Sequence, residues 1–97
     1  MYQLVLSGEA YDDLTDIQNY TYTEFGEAQW EAYGNLLDQA LLKIINHPYS
    51  RHQRTDIPER YRAMNVEQHV IIYRIEEYTI FVIRILYKRM DFTFQFR

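Results

Sequence analysis

Residues 69–87, HVIIYRIEEYTIFVIRILY, decide the fold of this chain. Ile, Val, Tyr and Phe dominate two stretches of this segment, about 69–76 and 80–87, which is typical of half-buried β-strands. Charged residues separate the two stretches, so the segment predicts an antiparallel hairpin. Neither strand alternates between apolar and polar residues as a sheet with one wet face does. Both faces of the hairpin therefore need a cover.

The register of this hairpin depends on its loop. A two-residue loop would put Arg74 and Arg84 on opposite faces and bury one of them beneath the covering elements, at a high cost in free energy. We therefore predict a three-residue loop, residues 77–79. That register makes one face wholly apolar: Ile71, Tyr73, Ile75, Phe81, Ile83 and Ile85. The other face carries both arginines and four aliphatic residues: Val70, Ile72, Val82 and Leu86.

The segments before the hairpin predict two further strands and two helices. Strands are expected at residues 2–6 and 60–66. Ser7 is a good N-cap for a first helix, whose apolar residues recur at helical spacing. Phe25-Gly26 ends that helix, and a second helix runs from Glu27 to just before Pro48. Because the break is short, the helices should form an antiparallel hairpin.

This order predicts an α+β fold with an N-terminal strand, a two-helix hairpin and a three-stranded antiparallel meander. The helices should pack on the apolar face of the sheet. The first strand could lie parallel to a later strand at a sheet edge. At 97 residues the chain fits a single domain spanning 1–97. It has no cysteine, no signal peptide and no apolar run long enough for a bilayer, so we expect a cytoplasmic protein with no membrane partner.

Charge is distributed unevenly along the chain. Residues 1–48 contain eight acids and one base, a net charge of −7, whereas residues 49–97 contain nine bases and six acids, a net charge of +3. A basic second half could meet an acidic partner or a nucleic acid. The overall isoelectric point near 5.2 argues against stable nucleic-acid binding by the chain alone.

Candidate catalytic and metal-binding patterns are weak. The three histidines, His47, His52 and His69, lack metal-ligand spacing, and we expect no metal. Ser50 lies near His47 and His52, but without the turn that presents a nucleophilic serine. No glycine-rich phosphate loop is present, and we expect no cofactor.

The arginine-bearing face of the hairpin has two possible covers. Its large aliphatic side chains form the kind of patch that often binds a partner. The alternative is that the C-terminal tail folds back over it, since residues 88–97 contain three phenylalanines: Phe92, Phe94 and Phe96.

Several segments resemble the ParE toxins of the RelE/ParE superfamily. The likeness covers nearly the whole chain in order, and the last segment is the most specific. The matching segments are YQLVLSGEA (2–10), DLTDI (13–17), FGEAQ (25–29), RYR (60–62), HVIIYR (69–74) and VIRILYKRMD (82–91).

The resemblance implies the toxin of a bacterial type II toxin–antitoxin system. Such toxins inhibit DNA gyrase by binding rather than by their own chemistry, and a ParD-like antitoxin neutralises them in a hetero-oligomer. We expect target contacts from the four residues after the last strand: Lys88, Arg89, Met90 and Asp91. We expect the antitoxin to occupy a groove on the arginine-bearing face: Val70, Ile72, Arg74, Val82, Arg84 and Leu86.

Two alternatives remain. Relatives that cleave ribosome-bound mRNA usually carry a catalytic Tyr or His near the C-terminus, whereas nothing of that kind follows Tyr87 here. A site made of Tyr87, Arg62 and Arg89 would be needed for such cleavage. The other alternative is a protein of this fold without gyrase activity.

Overall fold

The computed structural model describes residues 1–50 and 54–96. Three strands follow a helical hairpin, as the sequence predicts, and a short helix ends the described chain. The elements are β1 (Gln3–Leu6), α1 (Gly8–Phe25), α2 (Glu27–Asn46), a 3₁₀ turn (Pro48–Ser50), β2 (Arg62–Val66), β3 (His69–Glu76), β4 (Thr79–Tyr87) and α3 (Phe92–Gln95).

The four strands form one sheet in the order β1-β4-β3-β2. Strand β1 lies parallel to β4, with Leu4 opposite Ile80, and the other neighbouring pairs are antiparallel. The predicted parallel position of the first strand at an edge is therefore confirmed. The α1–α2 hairpin covers one face, and its buried residues form the main core with the inward residues of the sheet.

Local signals explain where the helices begin and end. The Ser7 hydroxyl accepts a hydrogen bond from the Ala10 amide at 3.0 Å, which satisfies one of the free donors of the first turn. Gly26 separates the two helices with a φ of 91°, in the region that favours glycine. Pro48 follows α2 directly after the His47 cap.

The predicted three-residue loop is wrong. The β3–β4 loop has two residues, because Glu76 pairs with Thr79 and Arg74 pairs with Phe81. A β-bulge then inserts Ile83, so that Tyr73 faces Val82 but Ile72 faces Arg84. The bulge returns Arg84 to the outer face, so both arginines still avoid burial beneath the helices.

This register also changes the two faces. Val82, predicted on the outer face, is buried in the core beneath the helices, while Phe81 moves to the outer face beside Arg74. Val70, Ile72 and Leu86 do lie on the outer face, but they are at most 1% exposed. Their cover is a second cluster formed by Ile57 and Phe92, with Tyr61, Ala63 and Phe96 packed against it.

The predicted open groove on the outer face is therefore wrong, and the alternative in which the C-terminal tail folds back is confirmed. A partner could reach Val70 or Ile72 only after displacing the covering residues Ile57 and Phe92. Within the described residues, no helix is both long enough and apolar enough to span a membrane.

Candidate functional site

Strand β1 covers only the first half of β4, since its pairing ends at Val82. Helix α1 covers the edge beyond that point. The Ser7 hydroxyl donates to the Ile83 carbonyl at 2.7 Å, and the Asp13 carboxylate accepts from the Ile85 amide at 2.9 Å. Side chains of α1 thus take the place of a neighbouring strand along this part of the edge.

Arg84 is bound within the protein rather than offered to a partner. Its Nε and Nη2 atoms donate to the two carboxylate oxygens of Asp13 at 2.8 and 2.9 Å, a bidentate pair. Glu9 lies 3.6 Å away, and Gln95 of α3 accepts from Nη1 at 3.4 Å. The hydrogen bonds that Arg84 donates to Asp13 raise the pKa of Arg84 despite its partial burial. The remaining predicted groove residue, Arg74, stacks on Phe81 and pairs with Glu76.

An open groove does exist, at the other side of the sheet from the predicted one. It has a volume of about 740 Å³ and lies between the second half of α1, the start of α2 and the end of β4. Its described lining contains two carboxylates, Asp13 and Asp16, and no lysine or arginine. The rest is mostly apolar or aromatic: Ile17, Tyr20, Phe25, Tyr33, Ile85, Leu86, Tyr87 and Met90.

A polar pair lies among the residues lining the groove. The Tyr33 hydroxyl lies 2.6 Å from His69 Nδ1 and 3.2 Å from the Val66 carbonyl, and the Gln68 amide donates to it at 3.2 Å. The His69 ring meets the Tyr87 ring edge-on at 5.9 Å. Burial lowers the pKa of His69, with Asp13 acting in the opposite direction, and burial raises the pKa of Tyr33.

Sequence reasoning missed this pair. Tyr33 belongs to the apolar stripe of α2, and His69 opens β3. The two residues are 36 positions apart, so only the docking of α2 on the β2–β3 turn brings them together.

The four predicted target-contact residues form the turn between β4 and α3, and all four are exposed. The Lys88 amide donates to the Gln68 carbonyl at 2.9 Å, and the Met90 amide donates to Tyr87 at 3.0 Å. Asp91 caps α3 by accepting from the Phe94 amide at 3.2 Å. The backbone of this turn is therefore held in place while its side chains remain accessible.

The alternative site for mRNA cleavage is not assembled. Arg62 faces Tyr73, whereas Tyr87 faces His69, four residues along β3, or about 13 Å. Arg62 instead stacks over Tyr49, with its guanidinium 5.2 Å from the ring centre.

The other dismissed patterns gain no support from the described residues. The Ser50 hydroxyl donates to the backbone carbonyl of His47 at 2.8 Å, and His52 lies outside the described residues. Among residues 1–50 and 54–96, no group of three or more His, Asp or Glu side chains is placed to hold a metal.

Comparison with known proteins gives consistent matches at the level of family, sequence and structure. A family model described as the ParE toxin of the parDE type II toxin–antitoxin system matches residues 4–92. Toxin ParE1 of Mycobacterium tuberculosis, from strains CDC 1551 / Oshkosh and H37Rv, is 33% identical over 88 residues, which are 90% of each chain. A solved structure described as a chromosomal ParDE toxin–antitoxin system from P. aeruginosa matches with a TM-score of 0.67. That match covers 90% of this chain and 96% of the other at 16% identity, and it supports the fold alone.

Proposed function

This chain belongs to the ParE family, the toxins of parDE type II toxin–antitoxin systems, and from that premise we propose that it inhibits DNA gyrase by binding and is neutralised by a ParD-like antitoxin. The toxin acts without chemistry of its own in this proposal. The observation that carries it is the exposed turn of residues 88–91, because its backbone is fixed by Gln68 and Tyr87 while its side chains are exposed to a large partner.

Lys88, Arg89, Met90 and Asp91 are the proposed contacts with gyrase. Two adjacent cations and an exposed methionine, 47% accessible, combine charge attraction with apolar contact area. The proposed target works on chromosomal DNA, so we expect the protein to act in the cytoplasm.

The proposed antitoxin site is the α1–α2–β4 groove rather than the covered outer face. It is open, mostly apolar and bounded by the rings of Tyr20, Phe25 and Tyr87. Asp16 has no ion-pair partner among the described residues. The occupant that fits is therefore an amphipathic helix with an apolar face and a lysine or arginine that reaches Asp16.

A gyrase supercoiling reaction tests the proposed target. We expect the purified chain to reduce supercoiling and to leave linear plasmid after protein digestion. The double variant Lys88→Glu, Arg89→Glu should lose most of this inhibition, because it reverses the charge of the proposed contact without touching a buried residue.

Arg60→Glu is the matched control. Arg60 is also an exposed arginine, but it precedes β2, at the end of that strand remote from Gln68 and Lys88. It should inhibit like the parent chain. Equal inhibition by the double variant would remove these residues from the interface, and unchanged supercoiling by the folded parent chain would overturn the gyrase proposal itself.

A further inference from the structure

The hydrogen bond between Tyr33 and His69 determines which ring nitrogen of His69 carries the proton. The Tyr33 hydroxyl has a single proton and two acceptors within reach, His69 Nδ1 at 2.6 Å and the Val66 carbonyl at 3.2 Å. The 2.6 Å contact is shorter than the ~2.7–3.2 Å typical of an N–H donor and lies in the range of an O–H donor, so Tyr33 donates to Nδ1 and the Val66 carbonyl is the longer, secondary partner of the same proton. With Nδ1 acting as acceptor, the neutral His69 ring carries its own proton on Nε2.

That Nε2–H group has no hydrogen-bond partner among the described residues, although the ring lines the groove and is partly buried. A donor in a mostly apolar groove is unfavourable while it stays unpaired. It is also the kind of isolated polar group that gives an apolar site its specificity. A ligand that buries the ring without pairing Nε2 pays for its desolvation.

The charges around the ring decide which acceptor suits it. Asp13 and Asp16 face the groove from α1, Glu67 lies in the adjacent β2–β3 turn, and Tyr87 packs against the ring from β4. The charge of Asp13 is compensated by Arg84, but Asp16, which has no ion-pair partner among the described residues, would repel a carboxylate on the incoming partner. A neutral acceptor, such as an amide or hydroxyl oxygen, would not be repelled.

We propose that His69 is the specificity-determining contact of the groove, and that its Nε2–H donates to a neutral amide or hydroxyl oxygen on the apolar face of the bound antitoxin helix. The identity of the occupant rests on the proposed function, whereas the hydrogen-bond chemistry rests on the groove itself. Tyr33 acts through His69 as a positioning residue, because it holds the ring and its tautomer in place.

Two substitutions separate the two ring nitrogens. The amide nitrogen of His69→Gln can reach the position of Nε2, so this variant keeps the donor to the partner. The shorter His69→Asn can keep a hydrogen bond with Tyr33 but not the donor at Nε2. Both remove the imidazole and its titration, and each is therefore the control for the other.

The probe is a displayed library of helices about five turns long, with a randomised apolar face and a fixed basic residue on its border. Selection on the parent chain should enrich Asn, Gln, Ser or Thr at one position of that face. His69→Gln should enrich the same position, and His69→Asn should enrich an apolar residue there. Replacing the enriched residue by Leu should weaken binding to the parent chain about tenfold and leave binding to His69→Asn within about twofold.

An all-apolar face selected by the parent chain would overturn the proposal, as would the same polar position selected by His69→Asn. If His69→Asn does not fold, spectra of the parent chain labelled with ¹⁵N-histidine supply the answer. Nε2 should carry the proton, and its resonance should shift on binding of a selected helix. A proton on Nδ1, or an Nε2 resonance that does not shift, would contradict it.

The gyrase assay shows whether a failure concerns the role of His69 or the proposed inhibition of gyrase. His69→Asn should inhibit supercoiling like the parent chain, since residues 88–91 are intact. Altered helix selection with normal gyrase inhibition supports the His69 assignment alone. Failure of the parent chain to inhibit gyrase overturns the proposed target and leaves the selection result standing.

Discussion

The carboxylate of Asp13 accepts three hydrogen bonds from β4, two from the Arg84 guanidinium and one from the Ile85 amide. It thereby compensates a charge on the sheet and an unpaired backbone donor at the strand edge. The sequence places Asp13 on the polar side of α1, beside Asp12 and Asp16. Nothing local distinguishes it from these neighbours, because its partners lie 71 and 72 residues away.

Asp13→Asn should lower the free energy of unfolding by about 2–3 kcal/mol. The amide keeps one acceptor oxygen but loses the charge, and Arg84, whose side chain is only 19% exposed, is left without its main counter-ion. Urea unfolding at neutral pH measures the change. Asp12→Asn is the control, since Asp12 is exposed on the same turn and should change stability by less than about 0.5 kcal/mol. Equal effects of the two substitutions would show that the bidentate pair contributes nothing specific.

His69 should make stability depend on pH below neutrality. Burial lowers its pKa in the folded protein below the ordinary value of 6.5, so the unfolded chain takes up the proton first as the pH falls. The contribution of neutral His69 to the free energy of unfolding is complete above pH 6.5 and is lost as the pH falls through the folded pKa. The free energy of unfolding changes by at most ~1.4 kcal/mol per pH unit, because one proton is involved.

Urea midpoints between pH 7.5 and 5.5 measure this dependence, and His69→Gln should flatten it. The lowered pKa of Asp56, which is paired with Arg54, acts at more acidic pH and should leave this window unaffected. A variant that keeps the slope of the parent chain would assign the titration to another group.

At the scale of elements, both hairpin loops of the meander have two residues and begin with a glutamate in the left-handed region. Glu67 has a φ of 51° and Glu77 a φ of 55°. Glutamate has no special tolerance for this conformation, unlike Gly, Asn or Asp. This is one reason why the sequence did not reveal the two-residue loop after Glu76.

Glu77→Gly should stabilise the protein by about 0.5–1 kcal/mol, because relief of the left-handed backbone outweighs the greater freedom of glycine in the unfolded chain. Glu77→Gln separates this effect from the removal of a charge beside Glu76 and should change the thermal midpoint very little. A gain of similar size in both variants would attribute the stabilisation to charge instead of backbone conformation.

The elements themselves were predictable from periodicity, whereas the register was not. Neither Arg74 nor Arg84 lies beneath the helices, which confirms that part of the sequence prediction. Loop length was only one of two ways to satisfy it, and the protein uses the other, a bulge at Ile83. A bulge depends on the fit of two strands to their neighbours and leaves no periodic signal in the sequence. Because the bulge shifts the register by one residue, Val82 lies in the main core, and the groove predicted on the outer face was therefore misplaced.

At the scale of the whole molecule, one sheet separates two apolar clusters, and the elements that cover the outer cluster are much shorter than those that cover the main core. Two long helices close the main core, whereas among residues 1–50 and 54–96 the outer cluster is closed by the segment before β2 and by the short α3. Phe92 is 1% exposed and packs beneath the Arg54 guanidinium, 4.2 Å from its ring centre. Deleting the C-terminal residues would therefore uncover this cluster, so surface substitutions test residues 88–91 more cleanly than truncation does.

The outer cluster should open separately from the rest of the protein. Few residues cover this cluster, and a folded protein opens locally first where the least apolar contact is buried. In native-state hydrogen exchange the amides of Tyr61, Gln95 and Phe96 should exchange before those of β3 and β4, although all three are hydrogen-bonded. Phe92→Ala should speed their exchange strongly while the amides of α1 and α2 keep their rates.

Phe94→Ala is the control for that experiment, because Phe94 lies on the same helix with 59% of its surface exposed and should have a much smaller effect. If Phe92→Ala instead accelerates exchange throughout α1 and α2, the two clusters unfold as one unit. The distinction bears on function. A cluster that opens alone could expose Val70, Ile72 and Leu86 to a partner while the groove at His69 stays formed, whereas a single cooperative unit would restrict the antitoxin to the groove.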